Sequence, residues 1–103
     1  MTMASSSAAT AVNVTLTHKP LAANRTAWQE VEGEAVVIDL DTRKVLGLNA
    51  TASLIWTRMD GTATVGDLVA LVAKAFDVPA PQAQQDVLTF LQQMASRGLV
   101  ELG

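Results

Sequence analysis

Residues able to do covalent chemistry are scarce in this chain of 103 residues. Cysteine is absent, which removes thiolate nucleophiles, thiolate metal sites and disulfides. The single histidine, His18, has no second imidazole with which to share a metal ion and sits in a weakly patterned N-terminal stretch. There is no order of Ser, His and Asp, no carboxylate pair with a plausible site, no glycine-rich phosphate loop and no metal-ligand spacing. The sequence therefore predicts a protein that is not an enzyme and that takes no cofactor and no metal. The remaining polar residues of note are Arg43-Lys44, just ahead of the short run Val45-Leu46-Gly47-Leu48, and Asp86, Gln93 and Arg97, interleaved with Phe90 and Met94. Read plainly, Arg43-Lys44 is a solvated turn guarding a sheet edge. Asp86 is a cap or a partner of Arg97 or Lys44, and Phe90 and Met94 are core.

The elements that must position these residues follow from the hydrophobic pattern. Thr26 to Val31, Ala35 to Leu40 and Val45 to Leu48 read as strands separated by Glu32-Gly33-Glu34 and Asp41 to Lys44, which carry turn chemistry. Together they predict a three-stranded antiparallel meander. Gly47 marks a bulge or a close approach by another backbone. Val12 to Leu16 also alternates and reads as a further edge strand.

From Asn49 the period becomes helical. Asn49 is a good N-cap, and Ala52, Ile55, Trp56 and Met59 fall on one face. Asp60-Gly61 ends that helix. Thr64 with Asp67 makes a capping box for a second helix, whose buried face is read as Leu68, Leu71, Val72 and Ala75, with Val65 and Phe76 at its ends. A third helix runs from about Pro81 to Arg97 and stops at Gly98. Its apolar arc is Ala83, Val87, Leu88, Phe90, Leu91, Met94 and Ala95, with Phe90, Met94 and Ala83 at one margin beside Asp86, Gln93 and Arg97. Leu99, Val100 and Leu102 then return to the core. Strands followed by helices mean α+β, and the order suggests a winged helix-turn-helix-like arrangement, a three-stranded antiparallel sheet followed by three helices.

Composition fits one modest core: half the residues are hydrophobic and 17% are charged. The formal charge of −3 argues against a general nucleic-acid binder. Residues 1–12 are small and polar and read as a disordered tail ahead of a single domain over 13–103. No secretory signal and no membrane-length apolar run is present, which predicts a cytoplasmic protein with no membrane partner. The Asn-x-Thr triplets at Asn13, Asn24 and Asn49 are accordingly not read as glycosylation acceptors.

Several short stretches occur in a recognisable order: Val36-Val37-Ile38-Asp39, Leu48-Asn49-Ala50-Thr51-Ala52 with Ile55-Trp56, and Asp60-Gly61 with Thr64-Val65. Asp86-Val87-Leu88 with Phe90-Leu91, and then Arg97-Gly98-Leu99, follow. From Trp28 to Leu102 the chain resembles the PqqD-like family, which includes the coenzyme PQQ synthesis protein D and the recognition elements of RiPPs, ribosomally made and post-translationally modified peptides. The resemblance implies a non-catalytic chaperone. Such a protein binds the leader segment of a precursor peptide as an added strand and presents it to a modifying enzyme such as a radical SAM protein. The residues it points to are Arg43, Lys44, Val45, Leu46, Gly47 and Leu48 on the third strand and Asp86, Phe90, Gln93, Met94 and Arg97 on the third helix. Elementary physics is compatible. An edge strand offers unpaired N–H and C=O groups, Gly47 admits an approaching backbone, and Arg43 and Lys44 attract an acidic segment.

The alternative on the same topology is a winged-helix DNA-binding regulator. Residues 81–97 carry one acid and one base, Asp86 and Arg97, among several glutamines. A recognition helix brings more cations than that to phosphates and bases. An exposed sheet edge can also pair with its own copy, so a homodimer is a further expectation.

Overall fold

A computed structural model describes residues 13–102. The tail assigned to residues 1–12 lies outside the described residues. Among the described residues five strands and three helices follow in order: β1 (Leu21–Ala22), β2 (Thr26–Val31), β3 (Glu34–Asp39), β4 (Val45–Gly47), α1 (Ala50–Arg58), α2 (Val65–Phe76), α3 (Ala80–Ser96) and β5 (Val100–Glu101). The fold is α+β, with the main sheet in the antiparallel order β2-β3-β4.

Turn chemistry sets the sheet. Between β2 and β3, Glu32 and Gly33 both have positive φ, 54° and 85°. Two such residues make the tight turn whose twist matches that of the flanking strands. Between β3 and β4, Asp39 folds the turn onto itself: its Oδ1 accepts from the Asp41 N–H at 3.0 Å, and its carbonyl accepts from the Arg43 N–H at 2.6 Å. Along β3 the residues Ala35, Val37 and Asp39 are buried, while Val36 and Ile38 on the other face are half-buried. The helices therefore cover one face of the sheet only.

The capping expectations hold. Asn49 Oδ1 accepts from the Ala52 N–H at 2.8 Å to start α1. Thr64 and Asp67 form a reciprocal capping box at α2. α3 ends on Gly98, φ 74°, whose N–H reaches the Ala95 carbonyl while the Leu99 N–H reaches that of Met94. A Cβ at Gly98 would also stand 3.2 Å from the Arg25 guanidinium, so both backbone and packing favour glycine there.

The core gathers Val37, Ile55, Trp56, Val65, Leu68, Val72, Val87, Leu91 and Leu99. Trp56 Nε1 is buried with no hydrogen-bond partner among the described residues.

Four expectations need correction. Residues 13–16 form no strand; Val14 is buried, and a turn follows, in which the Thr15 N–H donates to His18 Nδ1 at 3.1 Å. Val12 lies outside the described residues. The strand that does form ahead of β2 is β1, Leu21–Ala22, which pairs with β5 antiparallel and anchors the returning C-terminal segment. On α2 the buried face is Val65, Leu68, Val69 and Val72. Leu71 is half-buried, and Ala75 and Phe76 are exposed, because α1 and α3 press on α2 from a direction that its own periodicity does not reveal. Gly47 makes no bulge, since the β3–β4 register runs through it from Val36↔Gly47 to Ile38↔Val45. Finally, Gly61 lies beyond the end of α1. Met59 is the C-cap, and Gly61, φ 81°, serves the following loop by donating its N–H to the Pro20 carbonyl.

Candidate functional site: a sheet edge walled by a helix

Hydrogen-bonded pairs alternate along an antiparallel ladder. The Asp39 N–H bonds to the Lys44 carbonyl and the Leu48 N–H to the Ala35 carbonyl, each at 2.9 Å. The Lys44 carbonyl and the Leu48 N–H thus bond to β3, and alternation turns the peptide groups of Leu46 the same way. Val45 and Gly47 aim theirs at the open edge. A second strand laid beside β4 would find these N–H and C=O groups unclaimed.

The same alternation sorts side chains. Leu46 lies opposite the buried Val37, and Val45 opposite Ile38 on the outer face. Lys44, Leu46 and Leu48 therefore share the face turned towards the helices. Val45 is 62% exposed. A Cβ built on Gly47 meets nothing within 4 Å, so the outer face of the sheet is open there.

α3 walls this edge. A hollow of about 270 Å³ lies between Leu46, Gly47 and Leu48 on the strand and Phe90, Met94 and Arg97 on α3. A second hollow of about 340 Å³ continues it towards the start of α1, where Thr51 and Ile55 face Asp86 and Phe90. Asn49, Ala52, Phe90 and Gln93 line both, so the two form one groove.

Leu46, Gly47, Leu48, Asp86, Phe90, Gln93, Met94 and Arg97 thus come together. Arg43, Lys44 and Val45 do not line the groove; they precede it, at the turn and first residue of β4. Arg43 has a positive φ of 63°. Ala83 is fully buried and Met94 nearly so, which leaves Phe90 as the half-buried apolar side chain at that margin of α3. Trp28 lies on β2, away from the groove, and is 45% exposed.

Two positioning residues were missed by sequence reasoning. Ser53, buried on α1, inserts its hydroxyl into the last rung of the β3–β4 ladder. Its Oγ accepts from the Ala35 N–H at 2.8 Å and donates to the Leu48 carbonyl at 3.2 Å. It thereby fixes the end of β4 against α1. Arg25 is the other. Its Nη2 lies 2.8 Å from Asp39 Oδ2, and its Nε lies 3.6 Å from Asp41. The guanidinium holds the Asp39 carboxyl well below the usual carboxylate range, and Asp39 in turn holds the turn that delivers Lys44 to β4. A serine in the apolar run of a helix and an arginine before a strand carry no local signal of either partnership.

Among the described residues no group of three His, Asp or Glu side chains is placed to hold a metal ion. No helix there is long and apolar enough to cross a membrane.

Residues 34–100 match the family model described as coenzyme PQQ synthesis protein D (PqqD). No curated protein sequence matches the chain. Two solved structures share the fold, each with a TM-score of 0.72. TbiB1 in complex with the TbiA(beta) leader peptide is 24% identical and aligns over 78% of this chain and 93% of its own. Lasso peptide synthetase B1 complexed with the leader peptide is 17% identical and aligns over 81% and 98%.

Proposed function

Since the chain belongs to the PqqD family, we propose that it binds the leader segment of a ribosomally made precursor peptide and presents it to a separate modifying enzyme. The leader adds as a strand on β4 and lays alternate side chains against α3. The observation that carries this reading is the edge itself: the peptide groups of Val45 and Gly47 are turned outward, beside open space and a walled groove. Strand addition draws affinity from main-chain hydrogen bonds and specificity from pockets beneath alternate side chains. Both are on offer here. The two similar structures, each captured with a leader peptide, support the same reading.

In this reading the chain performs no chemical step of its own. The modifying enzyme, a radical SAM protein in the family pattern, supplies the chemistry, and the encounter takes place in the cytoplasm. A second copy competing for the β4 edge would give a homodimer in the absence of peptide, and concentration-dependent mass by light scattering detects it.

The test is an NMR titration of the isotope-labelled chain with the precursor peptide encoded beside its gene. The amides of Val45 and Gly47 and of residues 86–97 should shift, with those two amides gaining protection from exchange. Binding that left them unmoved would remove the site.

A further inference from the structure

The stripe of α3 that faces the groove ends in opposite charges. Asp86, Phe90, Gln93 and Arg97 follow at spacings of four, three and four, so they lie in one row along the helix. Asp86 lines the hollow at the α1 end and Arg97 the hollow at the β4 end, with Phe90 between them. Lys44 shares the inward face of Leu46 and stands before β4, on the Arg97 side. Asp86, Arg97 and Lys44 are all exposed, and none forms an ion pair; among the described residues the ion pairs are those of Arg25 with Asp39 and Asp41. The first turn of α1 faces Asp86 with a partial charge of only about +0.5, and the last carbonyls of α3 bring about −0.5 to two full cations.

We propose that the groove selects a peptide by charge at both ends. A basic side chain sits at Asp86, and an acidic one sits at Arg97 and Lys44, four or six residues further along the peptide. This rests on the strand-addition reading above and gives it a register and a direction. Eleven helical residues rise about 16 Å, the span of about five residues of strand. Both charged side chains must point at α3, and side chains alternate along a strand, so the separation is even. Antiparallel addition continues the pattern of every pair in this sheet. Because β4 runs from Lys44 towards Asn49, the peptide enters at the Asp86 end, and its basic residue precedes its acidic one. Apolar side chains between them meet Phe90 and the floor of Leu46 and Leu48.

The probe is a display library of random 12-residue peptides, selected on the full chain at low salt. Peptides with Lys or Arg four or six residues before Asp or Glu should be enriched. Replacing either charge by Ser should weaken binding of a synthetic winner about two- to fivefold, the range of an exposed ion pair. Asp86→Lys should remove the basic preference, and the double variant Lys44→Glu, Arg97→Glu should exchange the acidic preference for a basic one. All three positions are exposed, and circular dichroism confirms that the variants fold. Winners that shift the Val45 and Gly47 amides but show no charge pair, or the pair in reverse order, overturn the charge rule and leave the groove standing. Winners that leave those amides unmoved overturn both.

Discussion

β2 and β4 occupy the two edges of one sheet, and the longer of them is not the one proposed to receive a strand. β2 offers six residues and β4 three. The Leu40 N–H bonds to the Arg25 carbonyl at 2.8 Å, so by alternation Trp28 and Glu30 turn their peptide groups outward on β2, as Val45 and Gly47 do on β4. The surroundings differ. Beside β2 lies a hollow of about 480 Å³ in which Glu30 and Arg58 stand among Leu54 and Phe76. The hairpin beyond it carries Glu32 and Glu34, in a chain already at −3. Charged side chains of this kind protect an edge from chance pairing. β4 has the reverse arrangement, with a glycine opposite open space, cations at its start and a helix running beside it. In the proposed reading, docking is decided by what stands beside the edge and not by its length.

Removing the support of β4 should have the largest effect. Ser53→Ala leaves the Ala35 N–H and the Leu48 carbonyl without their buried partner and should cost about 1–3 kcal/mol. It should weaken leader binding as well, because the end of β4 is freed from α1; chemical denaturation and titration calorimetry read the two effects. A Ser53→Ala chain that bound normally would show that α1 does not set the edge. Next come prolines on the two edges. Gly47→Pro removes an outward N–H that the sheet does not use, and edge strands tolerate proline. Leader binding should fall about tenfold or more, with the fold kept. Glu30→Pro on β2 should leave binding unchanged. Equal losses from both would erase the distinction between the edges. Trp28→Ala comes third. A half-exposed side chain outside the groove should cost about 0.5 kcal/mol of stability and nothing in leader affinity.

The last effect is absent at neutral pH. Asp39 is held low chiefly by Arg25. Asp60 is held down to about 2, chiefly by the N–H groups of Ala63 and Thr62, with the Thr62 hydroxyl adding to them. Both carboxyls are more acidic folded than unfolded. Their contribution is therefore complete above about pH 4, the unfolded value, and is lost as pH falls towards 2 and below. Thermal melts from pH 6 to 2 should show this decline, and Asp39→Asn should flatten it while lowering stability at pH 7.

Local signals carried most of the scaffold. Asn49, the Thr64–Asp67 box and Gly98 act within four or five residues of themselves, and each performs the role its type predicts. The same holds for the strands, where β-branched runs lie between turn residues. The pairing of β1 with β5 joins Leu21 to Glu101 across nearly the whole chain, and two residues are too few to show a period. The rotated face of α2 was set by neighbours rather than by α2 itself. At the groove, the row from Asp86 to Arg97 was readable because helical spacing is regular. That Lys44, Leu46 and Leu48 face it while Val45 and Gly47 open outward required the register. Ser53 and Arg25 required the tertiary structure, since each acts on residues 14 to 18 positions away.

The serine hydroxyl in the ladder has one more consequence. The Ala35 amide proton is protected by a side chain on α1 and not by the opposite strand. Its exchange with solvent deuterium therefore reports the separation of helix and sheet. The inward amides of Asp39 and Leu48, bonded to carbonyls of the partner segment, report the pairing of the two strands instead. One resonance thus gives a readout, from within the free protein, of how firmly the proposed peptide-binding edge is held before any peptide arrives.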